Sequence, residues 1–252
     1  MDSITFLGTG GARVLVFKQL LASGGLWLEL IGKRLSLDPG PGALVQMTRR
    51  KLDPTHLDAV LLSHCHLDHS ADVNSVVEAM TTGGFKRRGM LFAPRDALEG
   101  DPVVLRYLRG YLNGIVILEE GGSYQLGELR FRTPVRNRHG VETYGFVFEL
   151  PGYTLSYLSD TAYFPELASH YRADVMILNT VRLEESDIPH LSLPEAKRII
   201  SQAKPKAAIL THFGMTVWRA RPWELAQRLS EETGVKVVAA RDGMKLELPV
   251  TI

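Results

Sequence analysis

The chain of 252 residues is 45% hydrophobic and 23% charged, which is close to the average for a globular protein and sufficient for a large packed core. Its 29 Lys and Arg residues against 28 Asp and Glu residues give a net charge of +1, which excludes a strongly basic nucleic-acid-binding chain and an acidic tail. The single cysteine, Cys65, excludes an intramolecular disulfide and a multi-cysteine zinc ribbon. Because neither a signal peptide nor a spanning helix fits the apolar segments, we expect a cytoplasmic protein without membrane contact.

Short apolar runs rich in β-branched and aromatic residues predict strands along the whole chain. In chain order the predicted strands are Ile4–Leu7, Arg13–Phe17, Leu26–Ile31, Leu35–Leu37, Ala59–Leu62, Met90–Phe92, Gly114–Leu118, Leu129–Thr133, Gly145–Leu150, Thr154–Leu158, Val175–Leu178, Ala207–Leu210, Lys236–Val238 and Lys245–Leu248. Gly, Pro, Asn or Asp residues separate these runs, as expected for turns.

Apolar residues spaced by three and four predict helices between the strands. The predicted helices are Ala43–Arg50, a stretch from His69 toward Met80, Pro102–Leu112, Leu193–Ala203 and Pro222–Thr233. The segment from Ser192 to Glu195 has the pattern of a capping box and places a helix N-terminus there. Since no repeat or long linker interrupts the pattern, we expect one α+β domain over residues 1–252, with mixed sheets.

The densest group of metal-binding residue types lies directly after the predicted strand that ends near Leu62. Within six residues the chain places His64, His66, Asp68 and His69. Neutral imidazole and carboxylate suit zinc and related divalent ions, and an i, i+2 spacing on extended backbone points the rings of His64 and His66 to one side. Asp68 and His69 can then turn toward a second metal position. The alternative is a surface histidine cluster in a loop.

Further candidate ligands follow other predicted strands. His139 comes after Leu129–Thr133, Asp160 after Thr154–Leu158, and His212 after Ala207–Leu210. A lone histidine after a strand is more often structural than catalytic, but the three residues together favour a shared metal site.

The order Asp38, His64-x-His66-x-Asp68-His69, His139, Asp160, His212 resembles the five-motif signature of the metallo-β-lactamase-fold hydrolases. The resemblance implies a four-layer αββα sandwich with a two-metal site at one edge. It further implies that His64, His66 and His139 hold one metal, that Asp68, His69 and His212 hold the other, and that Asp160 bridges them. Asp38 would orient the metal loop from behind the ligands. Taken alone, Asp38-Pro-Gly40 would instead be interpreted as a turn.

Three features indicate a branch of that family. The segments Phe6-Leu-Gly-Thr-Gly-Gly11 and Leu210-Thr-His212-Phe-Gly-Met are similar to those of the tRNA-processing endonucleases called RNase Z and of small related phosphodiesterases. His190, 22 residues before His212, matches the additional histidine of that branch. An imidazole beside a helix N-terminus suits protonation of a leaving oxygen, whereas the alternative is a histidine that caps the loop.

The interval from His139 to Asp160 departs from RNase Z. Its 21 positions leave room for one hairpin and for no protruding arm that grips tRNA. The compact spacing is more similar to the cyclic-phosphate phosphodiesterase of the carbon–phosphorus lyase pathway, whose cysteine-bound structural zinc this chain cannot form. Arg130 and Arg132 lead toward His139 on one strand face, where they form either a solvated basic surface or a phosphate contact.

The sequence therefore predicts a di-metal phosphodiesterase for a small or cyclic phosphodiester or a short nucleic acid. Two divalent ions, zinc first and manganese or iron second, would hold a bridging hydroxide that attacks the phosphorus. Asp68 would help to orient this nucleophile and His190 would serve the leaving group. The alternatives are a thioesterase or lactonase on the same site, and a metal-binding protein without turnover. A homodimer is expected only from the resemblance to relatives.

Overall fold

Two sheets of seven strands each form the centre of the computed structural model, which describes residues 1–250. Residues 251 and 252, which the predicted domain includes, lie outside the described residues. The first sheet contains β1 (Ser3–Phe6), β2 (Leu26–Leu30), β3 (Lys33–Leu37), β4 (Ala59–Leu61), β5 (Met90–Ala93), β6 (Gly114–Ile117) and β14 (Lys245–Glu247). The second contains β7 (Gly122–Leu126), β8 (Leu129–Thr133), β9 (Phe146–Leu150), β10 (Tyr153–Leu158), β11 (Val175–Asn179), β12 (Ala207–Thr211) and β13 (Lys236–Ala239).

Each sheet has a parallel half and an antiparallel half. In the first sheet the order is β14-β1-β2-β3-β4-β5-β6, with parallel pairing from β3 to β6. In the second sheet the order is β13-β12-β11-β10-β9-β8-β7, with parallel pairing from β10 to β13. Because β1 and β3 are both antiparallel to β2, β1 runs in the same direction as the parallel strands β3 to β6, from which β2 separates it.

Nine helices are assigned within residues 1–250. They are α1 (Arg13–Phe17), α2 (Ala43–Arg49), α3 (Leu67–Ser70), α4 (Val73–Met80), α5 (Arg106–Arg109), α6 (Leu167–His170), α7 (Leu193–Ala203), α8 (Met215–Arg219) and α9 (Pro222–Thr233). The capping box that the sequence predicts is present at the start of α7, where the Ser192 hydroxyl accepts from the Glu195 amide and the Glu195 carboxylate accepts from the Ser192 amide.

Alternation along single strands places hydrophobic side chains in three separate cores. In β11, Val175 and Ile177 belong to the core between the two sheets, while Met176 and Leu178 pack beneath α6, α7 and α9. In β4, Ala59 and Leu61 face the second sheet, and Val60 faces the core shared with α2, α4 and α5. The layers are therefore helix, sheet, sheet, helix, which confirms the predicted four-layer αββα sandwich.

Two local predictions are wrong, and three elements of the structure are absent from the prediction: β7, α6 and α8. Arg13–Phe17 is the short helix α1 instead of a strand, because this segment leaves the sheet between β1 and β2 and has no strand to pair with; only Leu15 in it is buried. The predicted helix Pro102–Leu112 is helical only at Arg106–Arg109. Strand β7 is absent from the prediction, because only Tyr124 and Leu126 supply an apolar alternation there.

No helix among the described residues has the length and apolar character that are needed to cross a membrane.

Candidate metal centre

The candidate ligands lie at one edge of the sandwich, at the carboxyl ends of strands from both sheets. His64 follows β4, Asp160 follows β10 and His212 follows β12, while Asp38, which the family resemblance places behind the ligands, follows β3. Loops beyond the carboxyl ends of parallel strands are the usual place for binding groups in such sheets. The two sheets therefore bring residues together that are up to 174 positions apart in the chain (212 − 38).

One group of ligand atoms comes from His64, His66 and His139, which can together hold a metal ion. Nδ1 of His66 lies 3.0 Å from Nε2 of His139. Nε2 of His64 is buried and has no hydrogen-bond partner among the described residues. A buried nitrogen without a partner is costly unless something else binds it.

A second group comes from Asp68, His69 and His212. Nε2 of His69 lies 3.1 Å from Nε2 of His212, and Nε2 of His212 lies 3.4 Å from Oδ2 of Asp68.

Asp160 lies between the two groups. Its Oδ2 is 3.4 Å from Nε2 of His69 and 3.6 Å from Nε2 of His212, and it also forms a candidate metal-binding group with His64 and His69. All seven candidate ligands from the sequence therefore converge at this edge.

Hydrogen bonds on the far side of three rings fix which nitrogen carries the proton. Nδ1 of His139 donates to the carbonyl of Pro189 at 2.9 Å, and Nδ1 of His69 lies 2.9 Å from Oδ2 of Asp38. Nδ1 of His64 lies 2.9 Å from the hydroxyl of Ser63, which itself donates to Asp38. In the neutral rings of His64 and His139 the other nitrogen, Nε2, therefore presents a lone pair toward the other ligands.

This donor set fits a divalent metal ion. Imidazole nitrogens of different rings lie 3.0 and 3.1 Å apart, Nε2 of His64 has no partner among the described residues, and a cation would bind these nitrogens together. Histidine with carboxylate is a ligand combination that zinc accepts readily and that also suits manganese and iron.

The charges of the site match that chemistry. Burial holds the pKa of His64 well below its ordinary value, and burial also lowers the pKa of His66 and of His139, so these rings are neutral and able to bind metal. Burial opposes ionisation of Asp160, but His212 and His69 outweigh it and hold the pKa of Asp160 well below its usual range.

His69 has the opposite shift. Burial lowers its pKa, but the carboxylates of Asp160, Asp38 and Asp68 raise it well above the ordinary value of histidine. Burial likewise opposes the charge of Asp68, whose pKa is nevertheless held far below its usual range by His69 and His212. Three carboxylates around one imidazole form an anionic centre that favours a cation.

His190 lies on the other side of Asp160. Its Nε2 is 3.3 Å from Oδ2 of Asp160, and its ring packs edge-on against that of His139, with centroids 5.0 Å apart. Nδ1 of His190 is buried without a partner among the described residues. The loop before α7 thus brings His190 to the candidate ligands, as the sequence predicts.

Several residues of the site are not apparent from the sequence. Tyr157 donates its hydroxyl hydrogen to Asp38 at 2.9 Å, and Asn179 donates from Nδ2 to Oδ1 of Asp160 at 2.8 Å. The backbone N–H of Ala12 donates to Oδ2 of Asp68 at 3.2 Å. The position of Asn179 at the end of a buried strand could have indicated it, whereas a backbone donor leaves no trace in residue type.

Other residues weighed in the sequence lie apart from the ligands. Cys65 packs against the outer core of the first sheet and is in none of the candidate metal groups, and burial raises the pKa of its thiol. Arg138 stacks over the ring of Phe164, with its guanidinium carbon 4.4 Å from the centroid. Arg130 is exposed and Arg132 half-buried on β8, so that strand presents a basic face.

Comparison with known proteins identifies the family. Residues 33–213 match the family profile of the beta-lactamase superfamily domain. Protein MJ1374 of Methanocaldococcus jannaschii is 33% identical, over 97% of this chain and 94% of its own length. Ribonuclease Z of Clostridium novyi is 23% identical, over 87% of this chain and 91% of its own length.

Solved structures establish the fold. The metallo-beta-lactamase fold protein YhfI from Bacillus subtilis superposes with a TM-score of 0.82 at 19% identity, covering 98% of this chain and 100% of its own. A diphosphatase from the PhnP family superposes with a TM-score of 0.75 at 19% identity, covering 100% of both chains.

Proposed function

Since the chain belongs to the beta-lactamase superfamily, as a hydrolase of the metallo-β-lactamase fold, we propose that it is a phosphodiesterase with two divalent metal ions. The observation that carries the proposal is the position of His190, whose Nε2 lies 3.3 Å from the Oδ2 of Asp160. A proton-transferring group thus stands beside the carboxylate that both ligand groups share.

The ligands divide into two sets in this proposal. His64, His66 and His139 would hold one ion. Asp68, His69 and His212 would hold the other, with Asp160 shared between them. Zinc suits this donor set best, with manganese or iron as substitutes. When bound, the two ions would lower the pKa of water toward neutrality and neutralise negative charge on the phosphate.

His190 supplies a step that a phosphodiester with an alkoxide leaving group needs and that a thioester, whose thiolate leaves without protonation, does not. The leaving alkoxide must be protonated, and imidazole is the side chain used most often for such proton transfer. Nδ1 of His190 is not held by a carboxylate or a carbonyl among the described residues, in contrast to Nδ1 of His69 and His139. In the proposed reaction this ring, whose Nε2 lies 3.3 Å from Oδ2 of Asp160, would donate the proton to the leaving oxygen.

Asp68 would help to orient the attacking water. The amide of Ala12 binds its Oδ2, and burial keeps the carboxylate away from bulk solvent. An ionised carboxylate that is held in one orientation can accept a hydrogen bond from the attacking water and so help to position it.

The substrate that we propose is a small or cyclic phosphodiester or a short nucleic acid. Between His139 and Asp160 the chain forms only the hairpin of β9 and β10, without a protruding arm. The resemblance to ribonuclease Z and to a PhnP-family diphosphatase supports phosphate-ester chemistry of this kind.

The test is hydrolysis of bis-p-nitrophenyl phosphate, measured beside a thioester and a lactone. Protein would be reconstituted separately with zinc and with manganese, and Asp160→Ala would serve as the matched control. We expect phosphodiester turnover that disappears in the control. Preferential turnover of the thioester or the lactone would contradict the proposal and assign acyl transfer to the same site.

A further inference from the structure

Asp242 is half-buried and belongs to neither set of candidate ligands, yet its carboxylate accepts three hydrogen bonds from residues near the start of the chain. Oδ1 accepts from the amide of Thr9 at 2.8 Å and from its hydroxyl at 2.7 Å. Oδ2 accepts from the amide of Ala22 at 2.8 Å. Thr9 precedes α1 and Ala22 follows it. One carboxylate therefore binds the backbone on both sides of the segment that contains α1.

Asp242 stands where the chain crosses from one sheet to the other. It lies between β13 of the second sheet and β14 of the first. The amide of Ala240 donates to the carbonyl of Leu210 at 2.8 Å, and the amide of Gly243 donates to the carbonyl of Phe6 at 2.7 Å. The segment is therefore fixed to the ends of both β12 and β1, which gives Asp242 a rigid base.

The loop that Asp242 holds touches two of the candidate ligands. The amide of Phe213 donates to the carbonyl of Thr9 at 2.7 Å, and the amide of Gly11 donates to the carbonyl of Phe213 at 2.9 Å. These two bonds fix the backbone of Phe213, the residue that follows His212. The next residue, Ala12, donates its amide hydrogen to Asp68.

Backbone strain makes this support necessary. His212 has φ 57° and Ala12 has φ 60°, in the left-handed region that residues with a Cβ rarely adopt. Such conformations persist only where the surrounding structure fixes them. The bond from Phe213 to Thr9 adjoins His212, and the bond from Gly11 to Phe213 adjoins both His212 and Ala12.

From these contacts we infer that Asp242 is a positioning residue for one half of the metal centre. Through Thr9 it holds the loop that contacts Asp68 and the backbone beside His212. These are two of the three residues, Asp68, His69 and His212, that would bind the second ion. His64 and His139 are held instead by Ser63 and by Pro189. This inference rests on the proposed two-ion site, and it predicts that loss of Asp242 weakens one ion and spares the other.

The contact of residue 242 with Thr9 and Ala22 requires a group that only accepts hydrogen bonds. All three partners of Asp242 are donors, and a carboxylate can only accept. The amide group of an asparagine would direct a donor at either Thr9 or Ala22 in each of its orientations. Asp242→Asn therefore breaks the arrangement with almost no change in volume.

A second carboxylate in the same fold offers a matched control. Oδ2 of Asp174 accepts from the amide of Thr154 at 2.8 Å and from its hydroxyl at 2.9 Å, which repeats the contact of Asp242 with Thr9. Asp174 precedes β11 and so lies at the opposite edge of the sheet from the metal centre. Asp174→Asn changes the same kind of carboxylate–threonine contact away from the ligands, together with an ion pair of Asp174 with Lys206 at 3.0 Å.

The experiment is a calorimetric titration of metal-free protein with zinc, for wild type, Asp242→Asn and Asp174→Asn. In Asp242→Asn we expect the ion held by His64, His66 and His139 to bind as in wild type. The ion held by Asp68, His69 and His212 should bind about 10- to 100-fold more weakly. In Asp174→Asn we expect both ions to bind as in wild type. Unchanged binding of both ions by Asp242→Asn would overturn the inference, as would equal weakening of both ions or equal effects in the two variants.

Hydrogen exchange gives a readout that does not depend on the number of ions. The amides of residues 8–12 should exchange at least about tenfold faster in Asp242→Asn than in Asp174→Asn, and equal rates would overturn the role of Asp242. Uptake of one ion by wild type would refute the proposed two-ion function, while the exchange rates would still decide whether Asp242 fixes the loop. Thr9→Val removes only the hydroxyl donor, so it tests the same contact with a smaller expected increase if Asp242→Asn fails to fold.

Discussion

Oδ2 of Asp38 lies 2.9 Å from Nδ1 of His69, and each of the two side chains is only 2% exposed. The same oxygen accepts from the hydroxyls of Ser63 and Tyr157. Burial and the nearby carboxylates of Asp38 and Asp160 raise the pKa of Tyr157 well above its ordinary value, so its hydroxyl stays protonated and donates. Asp38 thus links the metal loop to β10 of the opposite sheet.

Replacing Asp38 with alanine should weaken both the fold and the metal centre. Buried donors of Ser63 and Tyr157 lose their acceptor, which costs about 3 kcal/mol of unfolding free energy. The ring of His69 loses its orientation, which should reduce zinc affinity by about 10- to 100-fold. Denaturant unfolding measures the loss of stability, and zinc titration measures the loss of affinity. Tyr157→Phe removes one donor to Asp38 and should lower the free energy of unfolding by about 1 kcal/mol. Wild-type zinc affinity in Asp38→Ala would contradict the role of Asp38.

Asp160→Ala should lose metal together with activity. Oδ2 of Asp160 lies within 3.6 Å of Nε2 of His69, of His190 and of His212, so its loss affects contacts with all three rings. Elemental analysis after dialysis should show less than the wild-type metal content, and phosphodiester turnover should fall to background. A variant with full metal content and normal turnover would disprove the assignment of Asp160 as a shared ligand.

His190→Ala should retain both metals and slow the reaction selectively. Proton transfer to the leaving group typically contributes about 10²- to 10⁴-fold, so cleavage of a dinucleotide, whose leaving group is an alkoxide, should fall by this factor. Cleavage of bis-p-nitrophenyl phosphate should fall less, because p-nitrophenolate leaves without protonation. His56→Ala, at an exposed histidine, is the control. Loss of metal in His190→Ala would identify His190 as a ligand and disprove its proposed role.

Gly11→Ala should disrupt the site by steric overlap alone. A Cβ at Gly11 would overlap the ring of His212, which cannot move away without leaving the other ligands. We expect zinc affinity to fall by at least about tenfold, similar to the loss of a supporting contact. Gly110→Ala is the matched control, because a Cβ there meets only the carbonyl of Tyr107, at 3.9 Å. Equal zinc affinity in the two variants would show that the loop is pliable at Gly11.

Metal removal should lower thermal stability reversibly. Without a cation, the ionised Asp68 and Asp160 are held close together beside the carboxylate of Asp38. A metal that binds only the folded state raises the free energy of unfolding by about 2.7 kcal/mol at a free metal concentration 100 times Kd. Differential scanning calorimetry should show a lower Tm after chelation and recovery after zinc is added. In Asp160→Ala the shift should be smaller, and an equal shift would place the stabilising ion elsewhere.

The sequence by itself determined the ligand types and most of the fold. The spacing from His64 to His69, and the occurrence of His139, Asp160 and His212 after predicted strands, depend on residue type and period, which local sequence carries. Most strands and the helix α7 with its capping box follow from the same local signals. The resemblance of this order to a known family then implied the four layers.

Only the tertiary structure decided which groups support the ligands. Asp38 and Tyr157, or Thr9 and Asp242, meet across 119 and 233 positions of the chain, and no local pattern encodes such a pair. The support from Ala12 and from Pro189 comes from backbone groups, which every residue type offers equally. Likewise the apolar pattern of Arg13–Phe17 favours a strand, but a strand needs a neighbour, and the packing of β1 against β2 leaves none for it. Pairing and direction across the two sheets, rather than composition, place these groups at one edge.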